Sequence, residues 1–460
     1  MWDLREAAEV LEAKLLRPKG PYTVRGASAD SRRIGPGELF VALRGQRHDG
    51  HDFVGEALAK GAVGALVSRD PGVGHNLLLV PDVPKALWEL ARWRRESLDF
   101  VAVGVTGSFG KTTAKELLAG ALGTAYRTYR TPESYNTEIG VALSLLSIPE
   151  DTEMAVFELA ESDPEELRRL CELVQPWAGL ITSVGPAHLA LLGSVERAAE
   201  AVWTLAECLP EEGVLALSWD FPELRARVER CDGFCLRFGQ SEDADFFPRE
   251  IVEDDPEGVR FVAETPAGTL PVKLRLLGAH RAVLACGALA LAWGLGVPGK
   301  LAAQGLAQVA PLPHRLELRP APFGWILDDC FNANPVSVQA ALFLLGRLRL
   351  PVRLRAALLG DMLELGPEEE LFHRAVVEAA RAARVDLLFA FGPRMSAAFT
   401  HWKGPGLAEP EDLERLLRGI REALGSGPAL LLVKGSRGLA LERAVTALAQ
   451  DQEKPAGQEG

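Results

Sequence analysis

At 460 residues the chain is long enough for roughly two to four domains. Its 48% hydrophobic and 25% charged residues are the composition of a soluble globular protein. A net charge of −13 argues against a general nucleic-acid binder but leaves room for local basic pockets that take an anionic small molecule.

The opening Met1–Glu6 has no basic stretch leading into an apolar core, so it does not read as a secretion signal. Glu38–Leu43 and Ala62–Val67 read as strands, with helical patterns over Phe53–Lys60 and Trp88–Ser97. A boundary is expected near Ser97–Asp99. Val101–Val105 is a buried strand that runs into a glycine-rich turn. Met154–Glu158 and Ala178–Val184 are further buried strands. Phe246–Leu276 reads as a β-rich excursion and Leu277–Leu295 as a helix. Pro311-Leu-Pro313 marks a second boundary. Beyond it Trp325–Asp328, Ala356–Gly360, Leu387–Phe391 and Ala429–Val433 alternate with helical segments, as in a doubly wound domain of Rossmann type. That domain lacks a G-x-G-x-x-G, so its topology is no evidence for a dinucleotide. The expected fold is α/β in three domains: residues 1–97, a central phosphate-loop (P-loop-type) domain with a parallel sheet over 98–312, and a Rossmann-like domain over 313–460. The longest apolar run, residues 283–297, is too short and too Gly-broken for a membrane span. Six cysteines lie at 171, 208, 231, 235, 286 and 330; no second pair completes a zinc site, and they read as reduced thiols of a cytoplasmic protein.

The segment Thr106-Gly107-Ser108-Phe109-Gly110-Lys111-Thr112-Thr113 carries the strongest chemistry. A strand, a glycine turn and a helix start in that order let backbone N–H groups and the helix N-terminus face a phosphate. Lys111 would neutralise the β/γ-phosphates and the Thr112 hydroxyl would hold Mg²⁺. The first glycine of the generic pattern is replaced by Val105. Glu158 ends a strand; a carboxylate beside a triphosphate needs a cation between them, and Mg²⁺ is the natural mediator. His188 follows another strand end, where a metal ligand competes with a structural histidine. Asparagine occurs only at 76, 136, 332 and 334. In a chain that otherwise avoids it, Asn136 and Asn332 suggest ligand-orienting amides, as does Asp328 at its strand end. Asn334 before a proline is as well explained by turn chemistry. His280 is either a helix-start residue or a nucleotide contact. Lys434-Gly-Ser-Arg437 is a cationic turn suited to a carboxylate or phosphate, or simply a solvated loop. Asp361 ends a strand facing the same crevice.

With these motifs placed, the chain resembles the Mur ligases of peptidoglycan synthesis almost end to end. Asp30-Ser31-Arg32, Gly37–Leu43 and Asp49-Gly50-His51 are similar to the family's uridine-nucleotide domain, and the loop Thr106–Thr113 is similar to its phosphate motif. Asp328-Asp-Cys-Phe-Asn-Ala-Asn-Pro335 resembles the stretch of the type that adds D-alanyl-D-alanine. The resemblance implies ATP-dependent amide formation on UDP-N-acetylmuramoyl-tripeptide through an acyl phosphate, with Mg²⁺. It implies Lys111, Glu158 and His188 as the catalytic set, and Thr112, Glu158 and His188 at the metals. It implies ATP contacts from Thr106, Gly107, Ser108, Gly110, Lys111, Thr112, Thr113, Asn136, His280, Arg315, Asp328 and Asn332. Ser31, Arg32, Asp49 and His51 would serve the uridine substrate, and Phe331, Asn334, Lys434 and Arg437 the incoming dipeptide. A monomer without nucleic-acid partners is expected.

The chain departs from the family at one site. The lysine whose carbamate helps hold a second Mg²⁺ is replaced by Val202, and no lysine lies between Lys115 and Lys273. Ala160 and Ser162 replace the Gly and Asn that follow the metal glutamate. Either Glu161 or Glu200 takes over, or the second metal is held differently, or catalysis is weakened. A sister ligase adding the third amino acid, a folylpolyglutamate synthase, a generic phosphate-loop ATPase and a non-catalytic nucleotide-binding homologue are the alternatives. The Asp328–Pro335 segment speaks against the first two.

Overall fold

The computed structural model describes residues 1–45, 48–185, 194–228, 233–425 and 427–450. Three sheet-centred α/β domains follow one another along the chain. The first holds a five-stranded sheet in the order Lys14–Leu16, Leu77–Leu79, Gly64–Val67, Glu38–Val41, Gly26–Ser28. Its last four strands are parallel and its first is an antiparallel edge. The helix Val83–Glu96 follows, started by Asp82, whose carboxylate accepts from Lys85 N, and by a proline in its first turn. This helix packs along the central-domain helix Glu138–Leu146. Trp2 Nε1 donates to Leu146 O at 3.1 Å, and one apolar cluster runs unbroken from Leu4 and Leu90 to Val141 and Phe157. The first and central domains therefore share a core.

The central sheet has six parallel strands in the order Phe234–Phe238, Val214–Ser218, Ala178–Ile181, Val101–Thr106, Met154–Glu158, Thr128–Arg130. Helices cover both faces, which is why the inner strands read as continuous apolar runs. The short edge strand Thr128–Arg130 is half-exposed and escapes that reading. Val101–Thr106 lies between Ala178–Ile181 and Met154–Glu158, at the point where the strand order reverses, and ligand crevices of open α/β sheets form there. The β-rich excursion is a three-stranded antiparallel sheet, Phe247–Val252, Arg260–Thr265 and Gly268–Lys273. The helix expected from Leu277 runs over His280–Gly294, because Gly278 sits at φ +98°, outside helical geometry. It packs on the phosphate-loop helix Lys111–Leu122.

The third domain has a six-stranded sheet in the order Glu317–Ala321, Gly324–Asp328, Ala429–Lys434, Leu354–Gly360, Leu387–Phe391, Gly406–Glu409. Only the first pair is antiparallel. Apolar clusters fill both faces. Both outer strands are partly exposed, and Pro320 lies in one of them, consistent with an edge position. Charged contacts join this domain to the central one: Arg347 to Glu253 at 2.9 Å and Arg349 to Asp254 at 2.6 Å. None of the described helices is long and apolar enough to cross a membrane. The cysteines at 171, 208, 286 and 330 are free thiols; Cys231 lies outside the described residues.

Candidate active site

The loop after Val101–Thr106 is shaped by two glycines. Gly107 has φ +136°, and a Cβ there would lie 2.3 Å from Thr182 Oγ1. Gly110 has φ +85° and caps the helix Lys111–Leu122 without a side chain, leaving first-turn N–H groups open. The neighbouring strand end braces the loop. Thr182 Oγ1 donates to Phe109 O at 2.6 Å, Ser183 Oγ accepts from Phe109 N at 2.8 Å, and Gly185 N donates to Ser108 Oγ at 3.1 Å. Lys111 Nζ folds back onto Gly107 O at 2.7 Å and pairs with the Glu161 carboxylate at 2.7 Å.

Glu158 is buried and fully engaged. Thr112 Oγ1 donates to its Oε2 at 2.7 Å and Asn136 Nδ2 to its Oε1 at 2.9 Å. Beneath it lies Lys115, which has no solvent exposure. Its ammonium donates to Thr131 O at 2.6 Å and Glu133 O at 2.5 Å, and stands 3.2 Å from Glu116 and 4.0 Å from Glu158. Burial pushes this ammonium below the usual lysine range, opposed by the charges of Glu116 and Glu158.

Two arginines reach the next turn. Arg315, just past the second boundary, donates to Thr112 Oγ1 at 2.9 Å and Ser134 Oγ at 3.1 Å. Arg281 donates to Thr113 Oγ1 and, at 3.0 Å, to Arg315 O. Burial depresses both guanidiniums, that of Arg281 to about 10. Crowding two desolvated cations at a helix N-terminus is unfavourable unless an anion joins them, and a polyphosphate supplies that charge. Phe331 stacks under Arg315, its ring centre 3.9 Å from the guanidinium carbon, with Arg437 at 5.2 Å. Lys434 pairs with Asp329 at 2.5 Å and donates to Asn332 O at 3.0 Å.

These groups line one cavity of about 710 Å³ between the central and third domains. Of the residues singled out from sequence, Ser108, Gly110, Lys111, Thr112, Thr113, Asn136, Glu158, His280, Arg315, Phe331, Asn332, Asn334 and Lys434 line it. Desolvation, then the charges of Arg281 and Lys434, hold the His280 imidazole below its ordinary pKa although the ring keeps an open face. Asn334 lines the cavity while also capping the helix Pro335–Arg347, where its side chain accepts from Ser337 N at 2.8 Å.

Other singled-out residues do not line the cavity. Thr106 is buried behind the loop, donating to Leu159 O at 3.0 Å. Asp328 points inward to His314 at 2.8 Å and Arg319 at 3.4 Å, and its neighbour Asp329 faces the cavity instead. Arg437 stays at the rim, 3.4 Å from Glu442. In the first domain, His51 is buried with both ring nitrogens engaged, Nδ1 with Asp49 at 2.6 Å and Nε2 accepting from Ser68 N at 2.9 Å. It shapes its turn and has no free atom for a ligand in this arrangement. Ser31 O accepts from Lys60 at 2.9 Å, and the exposed Arg32 pairs with Asp30 at 2.8 Å. Arg33 of the same turn reaches Glu133 at 2.6 Å, so this first-domain loop borders the segment carrying Ser134. His188 lies outside the described residues. Val202 is buried among apolar side chains of the helix Val195–Glu207, and Glu200 is on that helix's exposed face.

Sequence reasoning did not single out Arg281, Lys115, Ser134 or Asp329. Arg281 follows His280 directly, and Lys115 sits four residues after Lys111, one helical turn along the same face. Both spacings were readable signals. Thr112 and Glu158 offer the hard oxygen donors that suit a magnesium ion, at the helix N-terminus where phosphates would sit.

Comparison with known proteins agrees with this layout. Residues 23–95 match the model described as Mur ligase family, catalytic domain; 105–292 match Mur ligase middle domain; and 314–437 match Mur ligase, glutamate ligase domain. The chain is 33% identical over 451 residues to the UDP-N-acetylmuramoyl-tripeptide–D-alanyl-D-alanine ligase of Bacillus subtilis (strain 168), covering 96% of this chain and 97% of that one. Among solved structures it is similar to MurF from Acinetobacter baumannii, with TM-score 0.82, 27% identity, and 98% and 99% of the two chains covered. It is also similar to MurF ligase from Thermotoga maritima in complex with ADP, with TM-score 0.75, 28% identity, and 93% and 97% covered. The chain belongs to the Mur ligase family, with that family's three-domain architecture.

Proposed function

We propose that this chain is the ATP-dependent ligase that joins D-alanyl-D-alanine to UDP-N-acetylmuramoyl-tripeptide, forming the pentapeptide precursor of peptidoglycan, as a cytoplasmic monomer. The observation that carries the chemistry is the meeting of Lys111, Thr112, Glu158, Arg281 and Arg315 in one cavity that also opens onto Phe331 and Lys434. Full-length likeness to ligases of that name supports the choice of substrates.

In this reading the tripeptide carboxylate attacks the γ-phosphorus of ATP, ADP leaves, and an acyl phosphate forms. The amine of D-alanyl-D-alanine then adds to the carbonyl, and the tetrahedral intermediate expels phosphate as the amide forms and the amine loses a proton. Phosphoryl transfer needs little covalent help from protein; it needs positioning and neutralised charge. Lys111 and the first-turn N–H groups would face the phosphates, with Arg281 and Arg315 above them. Thr112 and Glu158 would hold Mg²⁺, which supplies charge neutralisation at the phosphate oxygens. Asn136 orients Glu158 for that task. The domain interface would exclude water from the acyl phosphate. Lys434, held by Asp329, offers a cation for the dipeptide's carboxylate on the third-domain side.

Phosphate release from ATP and Mg²⁺ is the test, with UDP-N-acetylmuramoyl-tripeptide, with and without D-alanyl-D-alanine. Release that requires both substrates, with the pentapeptide seen by mass, supports the reading. Tight binding of ATP and the UDP-peptide without release with any acceptor or amine would point to the non-catalytic homologue.

A further inference from the structure

Glu161, one of the two acids weighed against the missing lysine, is used by no step described above. Its side chain is 3% exposed, one carboxylate oxygen lies 2.7 Å from Lys111 Nζ, and Oε1 has no hydrogen-bond partner among the described residues. A buried carboxylate oxygen left unpaired is costly, so it marks a place where a donor or cation is expected. Two acids therefore bracket consecutive residues of the phosphate-loop helix: Glu161 on Lys111 and Glu158 on Thr112.

The pairing has a consequence for anion binding. Lys111 is the cation nearest the glycine turn, and its charge is already matched. A phosphate that captures Lys111 strips Glu161 of its counter-ion and adds negative charge beside it. Glu161 must then move, take a proton or take a cation. Its oxygen donors, its burial and the free Oε1 suit a hard divalent ion. We infer that Glu161 is an exchanging carboxylate: it neutralises Lys111 while the loop is free of phosphate, and becomes a ligand of a divalent cation when a nucleotide draws Lys111 away. Neither Val202, in the apolar core, nor Glu200, facing solvent, can do this. The inference rests on the reading that the loop binds a nucleotide polyphosphate. It adds to the coupling between metal and nucleotide a component that resides in one side chain.

ADP binding to the full chain is measured by calorimetry in EDTA and in excess Mg²⁺, for wild type, E161Q and E161D. E161Q removes the internal anion, so it should bind ADP about tenfold tighter than wild type in EDTA. In Mg²⁺ that advantage should vanish or reverse, so the ratio of affinities with and without metal falls by about tenfold or more. If E161Q does not fold, E161D carries the test: with its carboxylate drawn back from Lys111 it shifts the ratio in the same sense. An unchanged ratio in the folded variants overturns the exchange. Absence of ADP binding by the wild type under both conditions overturns the nucleotide reading beneath it instead.

Discussion

Arg315 donates to the hydroxyl of Thr112 across 203 residues of sequence, at 2.9 Å, and Thr112 in turn donates to Glu158 at 2.7 Å. One side chain from the start of the third domain thus touches one of the two residues best suited to the metal. Arg315→Ala should weaken ADP binding about tenfold or more, and Arg315→Lys should recover only part of it, because a single ammonium cannot serve Thr112 and Ser134 while stacking on Phe331. Titration calorimetry with both variants checks this; full recovery by lysine would show that charge alone matters.

Lys111→Met should lower the rate of phosphate release by about a hundredfold or more, the scale for removing one preorganised group that stabilises transition-state charge. Its melting temperature should fall as well, since the buried Glu161 carboxylate is left without its cation. Single-turnover kinetics and thermal melts on the same preparation separate the two effects.

Lys115→Met should destabilise the fold by about 3 kcal/mol, since Glu116, Glu158 and two buried carbonyls lose their shared cation. Denaturant unfolding monitors the loss. An unchanged midpoint would mean that the carbonyls find water instead. In the wild type the depressed ammonium predicts stability that rises with pH on approach to 10.5, the ordinary lysine value, because the unfolded chain holds that proton to higher pH than the folded one.

Gly107→Ala should disrupt the loop. Its φ of +136° is closed to alanine and the new Cβ would meet Thr182 Oγ1 at 2.3 Å. A loss of nucleotide affinity with the domain still folded by circular dichroism is expected; normal affinity would show that the strand end can yield.

Asp49 links the first domain's stability to acid. The backbone N–H of His51, then its imidazole, then Arg69 hold this carboxyl well below its ordinary 3.8. A depressed acid contributes stability that is complete above its unfolded pKa and is lost as pH falls through the folded value. Asp49→Asn should therefore flatten the acid slope of the melting temperature below about pH 4. Melts across that range read it directly.

Strand-to-helix order, the phosphate loop and the alternating third domain were legible because they follow from periodicity and glycine chemistry. The segments that escaped are short or half-exposed, such as Thr128–Arg130 and Gly406–Glu409, where burial does not write a pattern into the sequence. In the site, residue type was legible and direction was not. Asp328 and Asp329 are adjacent acids at one strand end; only the pleat decides that the second faces the cavity. Likewise Glu161 and Glu200 were equal candidates on composition, and a helix face separated them. Arg281 and Lys115 were missed because a basic residue within an apolar helix reads as surface until its partners are known.

The apolar cluster that runs from Leu4 through Leu90 to Val141 and Phe157 welds the first two domains into one platform, while the third is fastened by ion pairs such as Arg347–Glu253. On the proposed reading, the cradle for the UDP-peptide and the phosphate loop that takes ATP are cast in a single piece. The spacing between the attacking carboxylate and the γ-phosphate is then set when the chain folds. The amine, together with the Arg315 contact, is delivered by a domain whose attachment salt can loosen.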